Sequence, residues 1–259
     1  MNPVVNAATA CFPGMTVKAA IEQILLGASE PMIGTLAATH IQCCPQNLGH
    51  LSESACEDLR ASFPQSTLRL HANARVLPHH VRYDASTFSD DTRHYYLALA
   101  DRSRRIGASA YSLHAGYQRN CSLPQMIDNV RRIQDIFGEV QVAVEGLYPN
   151  AVNPQLMDTW DAYQAVLDSG TPLAIDLSHT KIVARAAGST DEGLLRDLLA
   201  SPTTIEVHLS ENNGVADHHD ILRREPFWWH LLPCISANAV VFSEGNQLRH
   251  HRTHSHAIQ

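Results

Sequence analysis

Short apolar runs alternate along this chain with longer amphipathic stretches. The runs are rich in valine, isoleucine, leucine and alanine, which is typical of buried β-strands. The stretches between them repeat apolar residues at helical spacing, as Val17, Ile21 and Ile24 do in the first. The pattern predicts strands at Val4–Ala10, Leu36–Cys43, Thr67–His71, Ala108–His114, Val140–Glu145, Pro172–Asp176, Thr204–His208 and Ala239–Glu244.

The intervening stretches predict helices, several of which end at a glycine, as helices commonly do. They cover Thr16–Leu26, Ser52–Ser62, Asp90–Ile106, Leu123–Phe137, Pro154–Asp168, Thr190–Leu199 and Phe227–Leu232. Strand and helix in repeated alternation predict an α/β protein with a single (β/α)8 TIM barrel. A doubly wound open sheet is the alternative. It needs a glycine-rich phosphate turn after an early strand, and the first loop offers only Pro13-Gly14.

The length of 259 residues suits one such barrel. We predict a metal-dependent barrel domain over residues 1–246. Residues 247–259 form a histidine-rich tail, which we expect to be disordered.

Composition narrows the classes of partner. The 19 basic and 26 acidic residues give a net charge of −7, which argues against a long nucleic-acid footprint. No apolar run approaches the ~20 residues of a membrane span, and the N-terminal residues do not resemble a signal peptide. The six cysteines form no CxxC pair and no disulfide framework, so we predict a cytoplasmic protein.

Nearly every predicted strand after the second ends at a histidine or a carboxylate. The residues are His71 in LRLHAN, His114 in YSLHAG, Glu145 in VAVEG, Asp176 with His179 in AIDLSH, His208 in IEVHLS, and Glu244 in VVFSEG. Asp217 and His219 in ADHHD add two more from a loop. Because all strand ends of a parallel barrel meet at one rim, these side chains should form a ring there.

Each of these residues alone has an ordinary explanation, such as a hydrogen bond at the rim, an ion pair with arginine, or a helix N-cap at Asp176. Burying all of them together without a cation would be expensive. We therefore predict two or three metal ions at the carboxyl-terminal rim of the strands. Imidazole and carboxylate ligands without thiolate suit iron, zinc or manganese.

The ordered series His, His, Glu, Asp-x-x-His, His, Asp-x-His, Glu resembles the endonuclease IV / xylose-isomerase-like TIM-barrel superfamily. The resemblance covers about Leu68 to Glu244. It implies one metal held by His71, His114 and Glu145, and a second held by Glu145, Asp176, His208 and Glu244. It implies a third held by His179, Asp217 and His219.

Within that superfamily the chain resembles most the multinuclear non-heme iron-dependent oxidases of peptide natural-product biosynthesis. The similar features are Tyr148-Pro149 after the glutamate, the alanine-rich stretch after Asp176, and Pro226-Phe-Trp228-Trp229. Gly146 departs from that pattern, which has asparagine there. The resemblance implies an iron oxidase or oxygenase that acts on a peptide or small thiol or amino-acid-like substrate, and a partner protein that delivers the peptide.

Two alternatives remain open at this stage. A zinc-dependent phosphodiester hydrolase similar to endonuclease IV would use several metals. A sugar or sugar-phosphate isomerase or epimerase would use one divalent metal, with Glu145 and Glu244 exchanging protons. Arg75 and Lys181 are further candidate catalytic residues, because either could hold a substrate carboxylate or phosphate. Other polar or aromatic candidates near the rim are Asn73, Tyr117, Tyr148, Arg185, Glu211, Asn212, Trp228 and Trp229.

Overall fold

The computed structural model describes residues 2–249, and its main feature is a closed barrel of eight parallel strands. The strands are β1 (Val5–Ala8), β2 (Ala37–Cys43), β3 (Thr67–Leu70), β4 (Ala110–His114), β5 (Gln141–Glu145), β6 (Leu173–Asp176), β7 (Thr204–Leu209) and β8 (Val240–Ser243). Each strand pairs with its neighbours in sequence, and β8 returns to pair with β1. The predicted TIM barrel is confirmed, and the closure between β1 and β8 excludes the open sheet.

Helices follow the strands, and six of the seven among the described residues lie where the pattern predicted one. They are α1 (Val17–Gly27), α2 (Glu53–Ser62), α3 (Arg93–Ile106), α4 (Leu123–Phe137), α5 (Trp160–Asp168), α6 (Leu177–Ala187) and α7 (Glu192–Ala200). Short 3-10 turns lie at Thr9–Cys11, Ala85–Thr87 and Trp229–Cys234, and a small hairpin pairs Ser29–Glu30 with Gly34–Thr35.

The sequence pattern did not predict α6, because that helix starts directly at the end of β6 with no connecting loop. Asp176 is both the last residue of β6 and the N-cap of α6. The segment Trp229–Cys234 is a 3-10 turn rather than the predicted helix, and Pro233, which has no N–H to donate, lies inside it.

The barrel interior is more polar than is usual for this fold, where branched apolar side chains dominate. Gln42, Arg69, Ser112 and Glu206 are all buried there. Since side chains alternate along a strand, the residue two before a rim histidine points to the same side of the sheet. Arg69, Ser112 and Glu206 have that relation to His71, His114 and His208.

The last residues that the structure describes, Leu248 and Arg249, contact the rest of the chain. Leu248 packs against the core, and Arg249 donates to the backbone oxygen of His218 and to Asp220. Residues 250–259 of the predicted tail lie outside the described residues. No helix among the described residues is long and apolar enough to cross a membrane.

Candidate metal centre

The nine predicted ligands converge at the carboxyl-terminal end of the barrel. Eight of them line one cavity of about 460 Å³. The ninth, His208, lies directly beneath and is fully buried. Residues that are more than 170 positions apart in sequence therefore share one site, as parallel strand ends predict.

Glu145, at the end of β5, is the centre of the arrangement. Its Oε2 lies 3.4 Å from His71 Nε2 and 3.8 Å from His114 Nε2. Its Oε1 lies 3.6 Å from both His179 Nδ1 and His208 Nδ1. Each carboxylate oxygen thus faces a different pair of imidazoles, an arrangement that suits a carboxylate bridging two cations.

Asp176 combines a structural and a ligand-like role. Its Oδ1 accepts the backbone N–H groups of Ser178 and His179 at 2.6 and 3.3 Å and so caps α6. Its Oδ2 is left facing His179 Nε2 at 3.4 Å. The N-cap explanation for this residue is therefore correct, and it leaves one oxygen available to a metal.

Asp217 and His219 approach the centre from the loop after β7. Asp217 Oδ2 lies 2.8 Å from His219 Nε2 and 3.4 Å from His179 Nε2, while His219 Nδ1 lies 3.3 Å from Glu244 Oε2. His219 has a left-handed backbone, with φ of 48°, which is uncommon outside glycine. Asn246 donates its backbone N–H to the backbone oxygen of His219 and fixes that conformation.

Three sets of side chains hold their candidate ligand atoms within 4.8 Å of one another. They are His71, His114 and Glu145; His71, His208 and Glu244; and Glu145, Asp176 and His179. The first is the same as the first set that the resemblance implies. The second contains His208 and Glu244 of the implied second set, and the third contains Glu145 and Asp176 of it. Asp217 links His179 to His219 at the edge of these sets.

The unpaired atoms of this site fit a cation. Four buried atoms without a hydrogen-bond partner belong to predicted ligands: Glu145 Oε2, Asp176 Oδ2, His208 Nδ1 and His219 Nδ1. A buried polar atom without a partner is costly, and native proteins usually pair such atoms. All four face other predicted ligands, so bound metal ions would satisfy them together.

Several of the histidines are oriented by a partner outside the centre. His179 Nδ1 donates to the Gly146 backbone oxygen at 2.9 Å, so its Nε2 faces Asp176 and Asp217. His71 Nδ1 lies 2.9 Å from the Ser112 hydroxyl, and its Nε2 faces Glu145. Such outer partners fix which ring nitrogen is presented to a metal.

Burial and charge act in opposite directions on the histidine pKa values. Burial disfavours the protonated form of His179, but Asp176 and Asp217 outweigh burial and raise the pKa to about 10. Burial is likewise outweighed at His208, by Glu244 and Glu145, and at His219, by Asp217 and Glu244, so both pKa values lie well above 6.5. Without metal, three protonated histidines therefore neutralise the carboxylates.

The carboxylates and His114 show the complementary shifts. Burial acts to raise the pKa of Glu244, but His208 and His219 lower it to about 2. Burial is also overcome at Glu145, whose pKa is held well below its usual range by His208 and His71. Burial dominates at His114 and lowers its pKa to about 4, so this imidazole is neutral and ready to bind a metal.

The cavity wall above the centre carries both cationic and aromatic groups. Arg75 and Arg82 line it, and so do Tyr117 and Tyr148. Arg75 is half-buried and donates from Nε to the Pro45 backbone oxygen at 3.2 Å. The cavity therefore offers positive charge close to the metal ligands.

Lys181 is placed differently from Arg75. Its ammonium group pairs with Glu211 and donates to the Asn212 backbone oxygen, and it does not line the cavity. Its predicted catalytic role has no support from this position. Trp228 is fully buried in the core and does not line the cavity either.

Three residues that the sequence pattern did not indicate contact the centre from below. Ser112 and Glu206 form hydrogen bonds with His71 and His208 inside the barrel, and Gln42 donates to Glu206. A signal for two of them was available, because Ser112 and Glu206 stand two positions before predicted ligands. Arg82 and Asp84 lie in an irregular loop, where no periodicity could have singled them out.

No family model and no curated protein matches this chain. Solved structures do match it over nearly its full length. A D-tagatose 3-epimerase-like protein aligns over 99% of this chain and 96% of its own, with a TM-score of 0.65 and 14% identity. A family 2 AP endonuclease from Brucella melitensis covers 94% of this chain and 93% of its own, with a TM-score of 0.61 and 13% identity. Endonuclease IV from Thermus thermophilus covers 98% and 100%, with a TM-score of 0.57 and 14% identity.

These comparisons do not support the predicted resemblance to the multinuclear iron oxidases. An added Cβ at Gly146 would lie 2.2 Å from the Tyr163 ring, so the asparagine of that oxidase pattern has no room here. At this low identity the likeness establishes the fold alone, a TIM barrel that this chain shares with proteins named as epimerases and endonucleases.

Proposed function

We propose that this protein hydrolyses small phosphate esters with the help of at least two divalent metal ions. The observation that carries the proposal is the position of Glu145. It belongs to one candidate ligand set with His71 and His114 and to a second with Asp176 and His179, so a single carboxylate serves two sets. A one-metal enzyme has no need for both sets.

Two cations held by these ligands would supply Lewis-acid chemistry, which activates water and neutralises charge on a phosphoryl group. The protein's own residues would bind and orient the substrate. Arg75 and Arg82 on the cavity wall suit phosphate oxygens, because guanidinium groups pair with phosphate in two-point contacts.

The size and charge of the site favour a small substrate over a nucleic-acid chain. A cavity of about 460 Å³ is in the range of small-molecule sites. The net charge of −7 gives no general attraction for a polyanion, so the arginines act locally. Zinc or manganese suits the imidazole and carboxylate donors, and both suit hydrolysis.

A sugar or sugar-phosphate epimerase is the second candidate. The set Glu145, Asp176, His208 and Glu244 would hold one metal without the remaining ligands. Glu145 and Glu244 both line the cavity, where one could take a proton from a bound ketose and the other could return one to it. The structural likeness to a D-tagatose 3-epimerase-like protein favours this candidate.

The deciding experiment assays chelator-treated protein that is reloaded with zinc, manganese or iron(II). The substrates are p-nitrophenyl phosphate, bis-p-nitrophenyl phosphate and a panel of ketoses. We expect phosphate-ester hydrolysis that needs two or more metals per chain. Epimerisation of a ketose at one metal per chain would replace the proposal by the second candidate, and oxygen consumption by the iron form would revive the oxidase.

A variant of the cavity wall tests the proposed substrate contact. Arg75→Gln removes the cation but keeps a polar side chain, so KM for the phosphate ester should rise at least about tenfold, since hydrogen bonds to charged groups are worth about 1.5–3 kcal/mol. Metal content should not change. Arg196→Gln on exposed α7 is the matched control and should behave as the wild type. An unchanged KM for Arg75→Gln would contradict the assigned contact.

A further inference from the structure

A buried ionic layer lies inside the barrel directly beneath the metal centre. Arg69 Nη1 and Glu206 Oε2 are 3.3 Å apart, with only 6% and 1% of their side chains exposed. Neither residue lines the cavity, so neither can touch a substrate bound there. The layer therefore has no part in binding the proposed substrate.

Glu206 connects this layer to a metal ligand. Its Oε1 lies 2.9 Å from His208 Nε2 and accepts a hydrogen bond from the Gln42 amide at 2.7 Å. Its Oε2 accepts from Arg69. Gln42 on β2 and Arg69 on β3 thus hold this carboxylate from two other strands of the barrel.

The position of Glu206 determines which nitrogen of His208 carries a proton. A carboxylate 2.9 Å from an unprotonated ring nitrogen would set two lone pairs against each other, so Nε2 must carry its hydrogen. The Gln42 NH₂ group lies 2.9 Å from the same ring nitrogen and 2.7 Å from the same carboxylate oxygen, but the charge-assisted contact with Glu206 is the stronger of the two contacts that Nε2 can make. Nδ1 is then the atom available to a metal, and it is the unpartnered one that faces Glu145.

Stability alone does not account for the layer. A buried ion pair is often no more stabilising than well-packed apolar residues of similar volume, and apolar residues are the usual content of this barrel layer. A fixed carboxylate behind a ligating histidine is, in contrast, a common means of setting the orientation and basicity of the ring.

We propose that Glu206 is a positioning residue, which holds His208 with Nδ1 directed at the metal centre, while Arg69 and Gln42 hold Glu206. This inference rests on the metal binding that the proposed function requires, but not on the reaction. It is independent of whether the substrate is a phosphate ester or a sugar.

The first test is the zinc affinity of Glu206→Gln, measured by competition with a chelator. The glutamine amide can turn its NH₂ group toward His208 Nε2, which releases the ring from its required tautomer. We expect the affinity of the weakest occupied site to fall about 10- to 100-fold, the usual effect of losing such a partner. In the zinc-loaded proteins, ¹⁵N NMR should show a protonated Nε2 for His208 in the wild type and a mixture in the variant.

A pair of further variants separates positioning from simple packing. Arg69→Met/Glu206→Leu replaces the layer by apolar side chains and leaves no unpaired charge, so it should fold even where Glu206→Gln does not. If Glu206 only fills space, this double variant keeps wild-type zinc affinity, which would overturn the inference. Arg69→Met alone keeps the contact between Glu206 and His208, and its affinity should stay within about threefold of the wild type because the outer partner is retained.

The outcomes distinguish this inference from the proposed function. If the wild type binds no zinc, the metal site and the proposed function both fall. If the wild type binds zinc and both Glu206 variants bind it equally well, only the positioning role is overturned.

Discussion

The bridging position of Glu145 makes a quantitative prediction for thermal stability. A metal that binds only the folded state stabilises it by roughly 2.7 kcal/mol per site at a hundred times Kd. Two sites should therefore add about 5 kcal/mol. For a chain of this length, Tm should rise by about 10–20 °C on adding zinc to metal-free wild-type protein.

Variants of the two kinds of ligand should divide that increase unequally. Of the two carboxylate oxygens of Glu145, His114 faces Oε2. His114→Ala should therefore remove one metal site and keep roughly half of the rise in Tm. Glu145 contributes an oxygen to both ligand sets, so Glu145→Gln should lose nearly all of it. Glu192→Gln, which changes an exposed carboxylate in the same way, should retain the full wild-type rise.

Differential scanning calorimetry with and without zinc measures these shifts directly. Each variant is compared with its own metal-free form, so a loss of intrinsic stability does not enter the result. A full wild-type rise in Glu145→Gln would refute the bridging role. A complete loss in His114→Ala would show that the sites do not bind independently.

Three further predictions concern protons and packing. The three histidines that are protonated without metal must each lose a proton to become ligands, so zinc binding near pH 7 should release about three protons per chain. Calorimetry in buffers of different ionisation enthalpy measures this number, and fewer than one proton per chain would contradict the raised histidine pKa values. In the metal-free protein the pKa of His179 is about 10 in the folded state and 6.5 in the unfolded state. The protonated His179 should therefore contribute fully to the free energy of unfolding below pH 6.5, and this contribution should be lost as the pH rises to about 10. Urea unfolding at several pH values measures it. Gly146→Ala would press a methyl group against Tyr163 and should lower the free energy of unfolding by roughly 1–3 kcal/mol. Gly193→Ala in α7 is the control, because its Cβ would meet nothing closer than 3.6 Å. Equal urea midpoints for the two variants would contradict the close contact between Gly146 and Tyr163.

The fold and the ligand set were accessible from the sequence for one shared reason. Parallel strands buried on both faces read as continuous apolar runs, and the first polar residue after such a run marks the rim. Glu145 and Asp176 could be recognised in this way. The meeting of distant residues then followed from the barrel, since all of its strand ends point in one direction.

Other parts of the site depend on packing that no local pattern reveals. The start of α6 at Asp176 was hidden, because strand and helix join there without a turn residue. The pairing of Lys181 with Glu211 turns a candidate substrate contact into a link between α6 and the loop after β7. The polar layer at Arg69 and Glu206 occupies strand positions whose inward direction was predictable, but whose mutual contact was not.

The resemblance to the iron oxidases stays a prediction that the comparisons do not support. Its supporting features lie in the loop after β5, on α6 and near Trp228, which the structure places in the core. The departure from that pattern, at Gly146, has a packing reason, because Tyr163 fills the space that a longer side chain would need.

The most direct test of the central claim is the number and position of metal ions in a zinc-loaded crystal, determined by anomalous diffraction at the zinc edge and checked by elemental analysis. We expect at least two zinc ions per chain, with Glu145 in contact with both. A single ion, or ions held by residues outside the nine predicted ligands, would contradict it.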